Sequence, residues 1–171
     1  MGFLGFVFRY IALFSLIIQT GNAQWAQTNG PGGAGIQCFA VNGSKIFAGT
    51  LGGGVFLSTN NGVSWTAVNN GLANLRIQAL AALDTNLFAG TTGGVFRSTN
   101  DGASWSAINT GLSSTFINAL AVHGTTILAG TMAGNFRSTN FGAGWTAANA
   151  GLTNPTVLSY SVVGADILAG T

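Results

Sequence analysis

This 171-residue sequence predicts an all-β fold built from repeated four-stranded units. Three observations support the prediction. The chain repeats itself every 40 or 41 residues, each repeat divides into four short segments separated by Gly, Asn, Asp and Thr, and no 3.6-residue periodicity runs through those segments. The 27 glycines and 2 prolines agree with a fold of many turns and few rigid breaks.

Two landmarks define the repeat. The tripeptide Ala-Gly-Thr and a single tryptophan both recur, the first ending at Thr50, Thr91, Thr131 and Thr171 and the second at Trp25, Trp65, Trp105 and Trp145. Between these landmarks lie three matched segments, GGVFLSTNNGVSW, GGVFRSTNDGASW and AGNFRSTNFGAGW. Three matched copies of this length exclude a chance similarity.

The second full copy shows how one repeat divides into strands. Its predicted strands are 77–82, 87–91, 94–99 and 104–108. The first of them contains ALAAL, which is typical of a strand buried on both faces, and its small residues suit the crowded centre of a ring. Four short strands in about 40 residues predict the blade of a β-propeller. The predicted blades are 36–69, 77–108 and 117–148, with a partial blade at 157–171.

Stacking is expected to stabilise such an array, because one blade cannot cover both of its own apolar faces. Each buried aromatic side chain is worth about 1.5–3 kcal/mol or more. The aromatic residues predicted to form the core between blades are Phe56, Phe96, Phe136, Trp65, Trp105 and Trp145.

The strand count predicts an incomplete ring. The stretch 25–28 supplies one strand before the first blade, and 157–162 and 167–171 supply two strands after the third. The simplest interpretation is the N-terminal part of a longer protein, and a four-bladed ring with a three-stranded last blade is the alternative. An open array exposes apolar faces and strand edges, so we expect the isolated chain to be poorly soluble or oligomeric.

The first 23 residues have the pattern of a secretory signal peptide. Arg9 supplies the positive charge, 10–18 (YIALFSLII) forms the apolar run, and Gly21 and Ala23 are small residues that favour cleavage before Gln24. An uncleaved membrane anchor is the alternative, although Arg9 interrupts an apolar run of minimal spanning length. The mature chain, 24–171, is therefore expected to be secreted, cell-surface or periplasmic, without stable membrane insertion.

Composition argues against several classes of function. Charged residues make up 5% of the chain, against roughly 25% in an average soluble domain. The net charge of +2 includes Arg9 of the signal segment, so no basic patch for nucleic acid is expected. Cys38 is the single cysteine, cannot form an internal disulfide, and is predicted to be a small buried residue.

A polar motif, Ser-x-Asn-x-Gly-x-Ser-Trp, follows the third predicted strand of each full repeat and resembles the Asp-box, or BNR repeat, which lies between the third and fourth strands of β-propeller blades. That family has Asp where this chain has Asn, and Gly144 replaces the hydroxyl residue of the third copy. An Asn oxygen accepts backbone N–H groups in a turn much as Asp does, and the Gly permits a positive φ. We expect the Trp to fold over the turn and fill the gap between its strands. The predicted structural positions are Ser58, Asn60, Gly62, Trp65, Ser98, Asn100, Gly102, Trp105, Ser138, Asn140, Gly142 and Trp145.

The sequence pattern of the repeats is most similar to that of bacterial sortilin-like and photosystem II assembly-factor-like propellers. The same box occurs in sialidases and in xyloglucan-degrading propeller hydrolases, and in all of these the resemblance implies a structural box that lies away from the ligand face. The fold alone does not specify the function.

Residue content argues against catalysis in this stretch. A sialidase needs an arginine cluster and a Tyr supported by a Glu, and the chain has no Glu. A glycosidase needs a pair of carboxylates, and the only ones, Asp84, Asp101 and Asp166, are predicted to be solvated turn residues. His123, predicted in a loop, has no second ligand at metal-binding spacing. The run GPGGAG at 30–35 matches a dinucleotide fingerprint but is followed by a strand pattern, so it is interpreted as a glycine-rich connection.

These observations predict a secreted, non-catalytic propeller segment without cofactor or metal. It would act as a binding or scaffold module for a protein or glycan at the propeller face, with self-association if the ring is incomplete. The alternative is the N-terminal fragment of a xyloglucanase-like or sialidase-like propeller glycoside hydrolase whose catalytic residues lie elsewhere.

Overall fold

The computed structural model describes residues 30–31 and 35–171, which form an all-β fold without a helix. The predicted signal segment and Trp25 lie outside the described residues. The described strands are β1 Ile36–Asn42, β2 Lys45–Thr50, β3 Val55–Ser58, β4 Thr66–Ala67, β5 Ile77–Leu83, β6 Asn86–Thr91, β7 Gly94–Ser98, β8 Ser106–Ala107, β9 Ile117–His123, β10 Thr126–Thr131, β11 Gly134–Ser138, β12 Thr146–Ala147, β13 Ser159–Val163 and β14 Asp166–Gly170.

The strands assemble into four separate antiparallel sheets in chain order. The first three sheets are β1-β2-β3-β4, β5-β6-β7-β8 and β9-β10-β11-β12, and the described part of the fourth is the pair β13-β14. We refer to these sheets as blades 1 to 4. The ring that they form does not close, so the predicted fold class, an incomplete β-propeller, is confirmed.

The fourth strand of blade 2 is shorter than the predicted 104–108, since it spans only Ser106–Ala107, and the fourth strands of the other full blades are equally short. The backbone N–H of Trp105 donates to the carbonyl of Asn70 in the link from blade 1, at 2.9 Å, and Trp105 does not pair with β7. Val157 likewise precedes β13 rather than beginning it, since its N–H donates to the carbonyl of Thr131 in blade 3, at 3.0 Å. Two residues predicted in turns or loops lie at strand ends instead: His123 ends β9 and Asp166 begins β14.

The contacts between successive blades, which we call seams, repeat one packing arrangement. A β-branched residue before or at the start of each first strand packs on the glycine of the preceding Ala-Gly-Thr. A Cβ added to that glycine would lie 2.5 Å from Ile77 Cγ2 at Gly49, 2.6 Å from Ile117 Cγ2 at Gly90 and 2.8 Å from Val157 Cγ1 at Gly130. All three β-branched side chains are 0% exposed. The glycine of each Ala-Gly-Thr is therefore needed for the close approach of the next blade.

The aromatic core predicted between blades is present at two of its three positions. Phe96 and Trp105 are buried against blade 1 residues such as Phe47, and Phe136 and Trp145 are buried in the seam between blades 2 and 3. Phe56 and Trp65 of blade 1 are only half-buried. Their repeat position faces a preceding blade, and the described residues contain no such blade.

Candidate functional site

The polar turns that connect the third and fourth strands, here called the STN turns, span 58–65, 98–105 and 138–145. In the second turn, Ser98 Oγ accepts the N–H of Gly102 at 2.9 Å and donates to Asn100 Oδ1 at 2.9 Å. Asn100 Oδ1 also accepts the N–H of Ser104 at 2.9 Å. The same bonds recur in the other two turns, except that Gly144 keeps only its backbone bond to Asn140. The polar groups of each turn are satisfied inside the turn, which is the geometry of a structural element.

The STN turns also place a non-glycine residue in the left-handed region. The glycines have φ of 83–84°, and the residue before each glycine has φ of 55° at Asn61, 56° at Asp101 and 55° at Phe141. This position varies between the repeats, and its side chain is therefore free to make a different contact in each blade.

That variable position contacts the preceding blade. Asp101 forms an ion pair with Lys45 of blade 1. Phe141 lies beneath the guanidinium of Arg97 in blade 2, with 5.6 Å from Arg97 Cζ to the ring centroid, and Arg97 Nε also donates to Asn86 Oδ1 at 2.7 Å. Asp101 thus lies in the turn with a partly exposed side chain, as predicted, and its carboxylate is also paired with Lys45. Lys45 lies on another repeat, and sequence spacing gave no signal for this pairing.

Each tryptophan of the second and third turns bonds to the blade before it. The indole N–H of Trp105 donates to the carbonyl of Val68 at 2.8 Å, and that of Trp145 to the carbonyl of Ile108 at 2.7 Å. These rings therefore join two blades, besides packing near their own turn. The indole nitrogen of Trp65 is buried and has no hydrogen-bond partner within the part of the chain that the structure describes.

A groove of about 270 Å³ lies at the end of the blades that carries the STN turns, here called the turn end. It brings Asp84 and Asp101 together, two acids predicted in unrelated turns, while Asp166 begins β14 of blade 4 and does not line it. The ion pair with Lys45 partly neutralises the negative charge of the two aspartates in the groove. Its lining residues are Asn42, Lys45, Asp84, Thr85, Thr99 and Asp101.

Two further grooves occupy equivalent positions at the outer rim. The groove on blade 3 measures about 390 Å³ and includes Arg137, Thr139 and Trp145. Its counterpart on blade 2 measures about 200 Å³ and includes Arg97 and Thr99. Phe141 of blade 3 covers Arg97. The rim groove is thus a place where the next blade packs, and it is wider on blade 3.

The opposite end, here called the connector end, carries the loops between second and third strands and the links that lead into each first strand. Leu51, Leu75 and Met132 project there as exposed apolar side chains beside the exposed Arg76. The loops are fixed by hydrogen bonds, with Asn74 Nδ2 donating to Thr92 Oγ1 at 3.0 Å and the N–H of Gly54 to the carbonyl of Leu75 at 3.1 Å. A contiguous patch of exposed apolar side chains marks an interaction site, so this end is a candidate binding surface.

Two buried titratable groups lie in the sheets rather than in the grooves. Burial raises the pKa of the Cys38 thiol to about 11, so the half-buried side chain is a neutral thiol at physiological pH. Burial also raises the pKa of Tyr160, whose hydroxyl donates to Asn135 Oδ1 at 2.6 Å and joins blades 3 and 4.

Residues 30–31 and 35–171 hold no cluster of three His, Cys, Asp or Glu side chains suited to a metal ion. In that same part of the chain, no helix is long and apolar enough to cross a membrane.

Comparison with protein families identifies the fold independently. The model of the DUF6242 beta propeller domain matches residues 39–159, most of the chain. The chain belongs to this family. No curated protein sequence matches it.

Several solved structures are similar to this chain in fold. An ancestral GH74 enzyme is similar with a TM-score of 0.63 and 25% identity over 82% of this chain and 22% of that enzyme. The GH74 enzyme of Niastella koreensis has a TM-score of 0.57 and 22% identity over 75% of this chain and 24% of its own. The protein YCF48, solved bound to D1 peptide, has a TM-score of 0.54 and 14% identity over 73% of this chain and 43% of its own. The DUF6242 chain thus spans less than half the length of each of these proteins.

Proposed function

We propose that this DUF6242 chain is an exported, non-catalytic propeller module that binds a protein or a glycan at its connector end. The observation that supports the proposal best is the ordered, exposed set of Leu51, Leu75, Arg76 and Met132 on the end opposite the STN turns. These side chains combine apolar contact area with one cation, which suits a partner surface better than a small-molecule cavity.

We propose further that the STN turns are Asp-box repeats of the sortilin-like and photosystem II assembly-factor-like type. The internal hydrogen bonds of Ser98, Asn100 and Gly102 support a structural role. In that family the box lies away from the ligand face, and this favours the connector end as the binding surface. The similarity in fold to YCF48, a protein solved with a bound peptide, is compatible with a protein partner.

A non-catalytic role is supported by the pairing and the positions of the three aspartates. Glycoside hydrolysis requires one carboxylic acid and one carboxylate flanking the bond. Asp101 forms an ion pair with Lys45, and Asp166 lies on blade 4, which leaves Asp84 without a second unpaired carboxylate in its groove.

A site-specific photo-crosslinker tests where a partner binds. We place the crosslinking amino acid at Met132 on the connector end and, as a matched control, at Val63, an exposed apolar residue of the first STN turn. Irradiation in the native host is expected to give adducts from position 132 and none from position 63. Adducts from position 63 alone, or equally from both, would contradict the proposed surface.

A glycan array separates the two partner classes. Binding of a glycan by the purified chain, lost in Leu75→Ser and kept in Val63→Ser, would identify a glycan partner. Adducts with a protein at position 132 and no bound glycan would identify a protein partner. Export is tested separately by sequencing the N-terminus of the chain recovered from the host, which is expected to begin at Gln24.

The alternative proposal is that the chain forms part of a propeller glycoside hydrolase. The 25% identity with an ancestral GH74 enzyme favours it, and the catalytic carboxylates would then lie in other blades. The complete gene product would release reducing ends from xyloglucan if this alternative is correct. Absence of release, with adducts at position 132 retained, would favour the binding module.

A further inference from the structure

The first two seams share a second contact besides the packing of a β-branched residue on a glycine. A large apolar residue near the start of the second strand packs with a residue of the next blade's first strand. Phe47 of blade 1 and Leu80 of blade 2 belong to one buried cluster, and Phe88 of blade 2 packs with Leu120 of blade 3 in the next. One face of each blade therefore presents apolar residues of its first strand, and the other face presents the glycine and the large apolar residue of its second strand. The first-strand face of one blade packs on the second-strand face of the blade before it.

Within residues 30–31 and 35–171, the first and last blades leave one half of this interface unmatched. Ile36 has the repeat position of Ile77 and Ile117 but is 39% exposed, and Phe39, at the position of Leu80, is also exposed. At the other end, Gly170 has the position of Gly49 and Gly90, and Leu168 has the position of Phe47 and Phe88. Both Gly170 and Leu168 are exposed. The missing partner of each face is thus present on the opposite face of the same chain.

We propose that a second copy of this chain docks head to tail, with β1 of one copy packing on β13-β14 of the other. Ile36 would then pack on Gly170 of the second copy, and Phe39 on its Leu168, as their counterparts do in the seams. β1 (IQCFAVN) and β13 (SYSVV) contain no charged residue and β14 (DILAG) contains only Asp166, so no like charges oppose the contact. The interface continues the established packing of the fold rather than requiring a new one.

A head-to-tail contact is heterologous, so it gives a ring if the rotation closes and a filament if it does not. Either assembly covers both open faces at once, except at the ends of a filament. The proposal is independent of the connector end and of the partner proposed there, because it uses only the faces of β1, β13 and β14.

Sedimentation velocity over a wide concentration range tests the proposal on the purified chain. The wild-type chain is expected to associate, and Ile36→Asp to raise the dissociation constant about tenfold or more, because an unpaired carboxylate would be buried at the contact. The matched control is Val63→Asp, which places the same charge at a position that is 65% exposed and outside both faces. Because Ile36 is partly exposed, circular dichroism of Ile36→Asp is expected to match that of the wild type.

A crosslinking experiment identifies the two faces directly. In a Cys38→Ala background, a copy with Phe39→Cys is mixed with a differently tagged copy with Leu168→Cys, two exposed positions that the proposal brings into contact, and a short bismaleimide is added. A mixed product is expected, and much less product when Leu168→Cys is paired with Gly52→Cys. A wild-type chain that sediments as a monomer at every concentration would overturn the proposal. Equal effects of the two aspartate variants, or equal crosslinking of the two pairs, would also overturn it.

Discussion

Ile117 and Ile36 occupy the same position of the repeat, yet the first is 0% exposed and the second 39% exposed. Ile117 packs on Gly90 of the preceding blade, whereas Ile36 has no described blade before it. The pair shows that an isoleucine at this position is buried by the neighbouring blade and not by its own sheet. A residue's contribution to stability should therefore depend on whether a neighbouring blade covers it, and the predictions below test that dependence.

The largest effect is expected from removing a buried seam side chain. Ile117→Ala should lower the free energy of unfolding by about 2–5 kcal/mol, because it leaves a cavity between blades 2 and 3. Ile36→Ala should change it by only about 0.5 kcal/mol in the monomer, as is usual for exposed positions. Urea unfolding of both variants at low protein concentration measures the two values, and similar losses would break the comparison.

A smaller effect is expected from filling the seam glycine. A Cβ at Gly90 would lie 2.6 Å from Ile117 Cγ2, so Gly90→Ala should destabilise the fold by about 1–3 kcal/mol through overpacking. The matched control is Gly52→Ala, since a Cβ at Gly52 meets nothing within 4 Å. Thermal unfolding should show a clear loss for Gly90→Ala alone. An unchanged stability of Gly90→Ala would mean that the two blades can move apart without a cost in free energy.

The Ser and Asn side chains of the STN turns should contribute within their own blade rather than between blades. Ser98 Oγ is buried and accepts the N–H of Gly102, so Ser98→Ala should cost about 1–3 kcal/mol by leaving that donor unsatisfied. Ser104→Ala, at an exposed position where the third repeat has Gly144, should cost far less. Equal stability losses in urea unfolding would contradict the structural role of the turn.

The smallest effect is expected from the polar contact across the first seam. The Lys45–Asp101 pair is partly exposed, so Asp101→Asn should cost about 0.2–1 kcal/mol, and the cost should shrink in high salt. Phe141→Leu tests the contact with Arg97 in the second seam and should cost about 0.5–1 kcal/mol beyond the change in buried area. A salt-independent loss at Asp101 would show that the ion pair is not its cause.

Much of the fold could be predicted from the sequence, because repeat period, strand length and turn residues are local properties. The strands of blade 2 lie within a few residues of their predicted positions, and the Ser, Asn and Gly positions of the STN turns recur unchanged. What could not be predicted depends on contacts between repeats. The bond of Trp105 to Asn70 and the pairing of Asp101 with Lys45 both join residues of different blades.

The candidate site was less predictable for the same reason. Asp84 and Asp101 of blade 2 share a groove with Lys45 of blade 1 only because the two blades stack. The exposed Leu51, Leu75 and Met132 share an end because the β2–β3 and β10–β11 loops and the link into β5 all lie there. No spacing in one repeat gives such a juxtaposition.

Hydrogen exchange followed by mass spectrometry tests the central claim most directly, because it compares seams and open ends in one molecule. At protein concentrations low enough to keep the chain monomeric, the account predicts slow exchange in β9 and β10 and fast exchange in β13 and β14, although both pairs are hydrogen-bonded hairpins. Equally slow exchange in β13 and β14 under those conditions would contradict it, since the sheet would then be stable without a seam on its outer face.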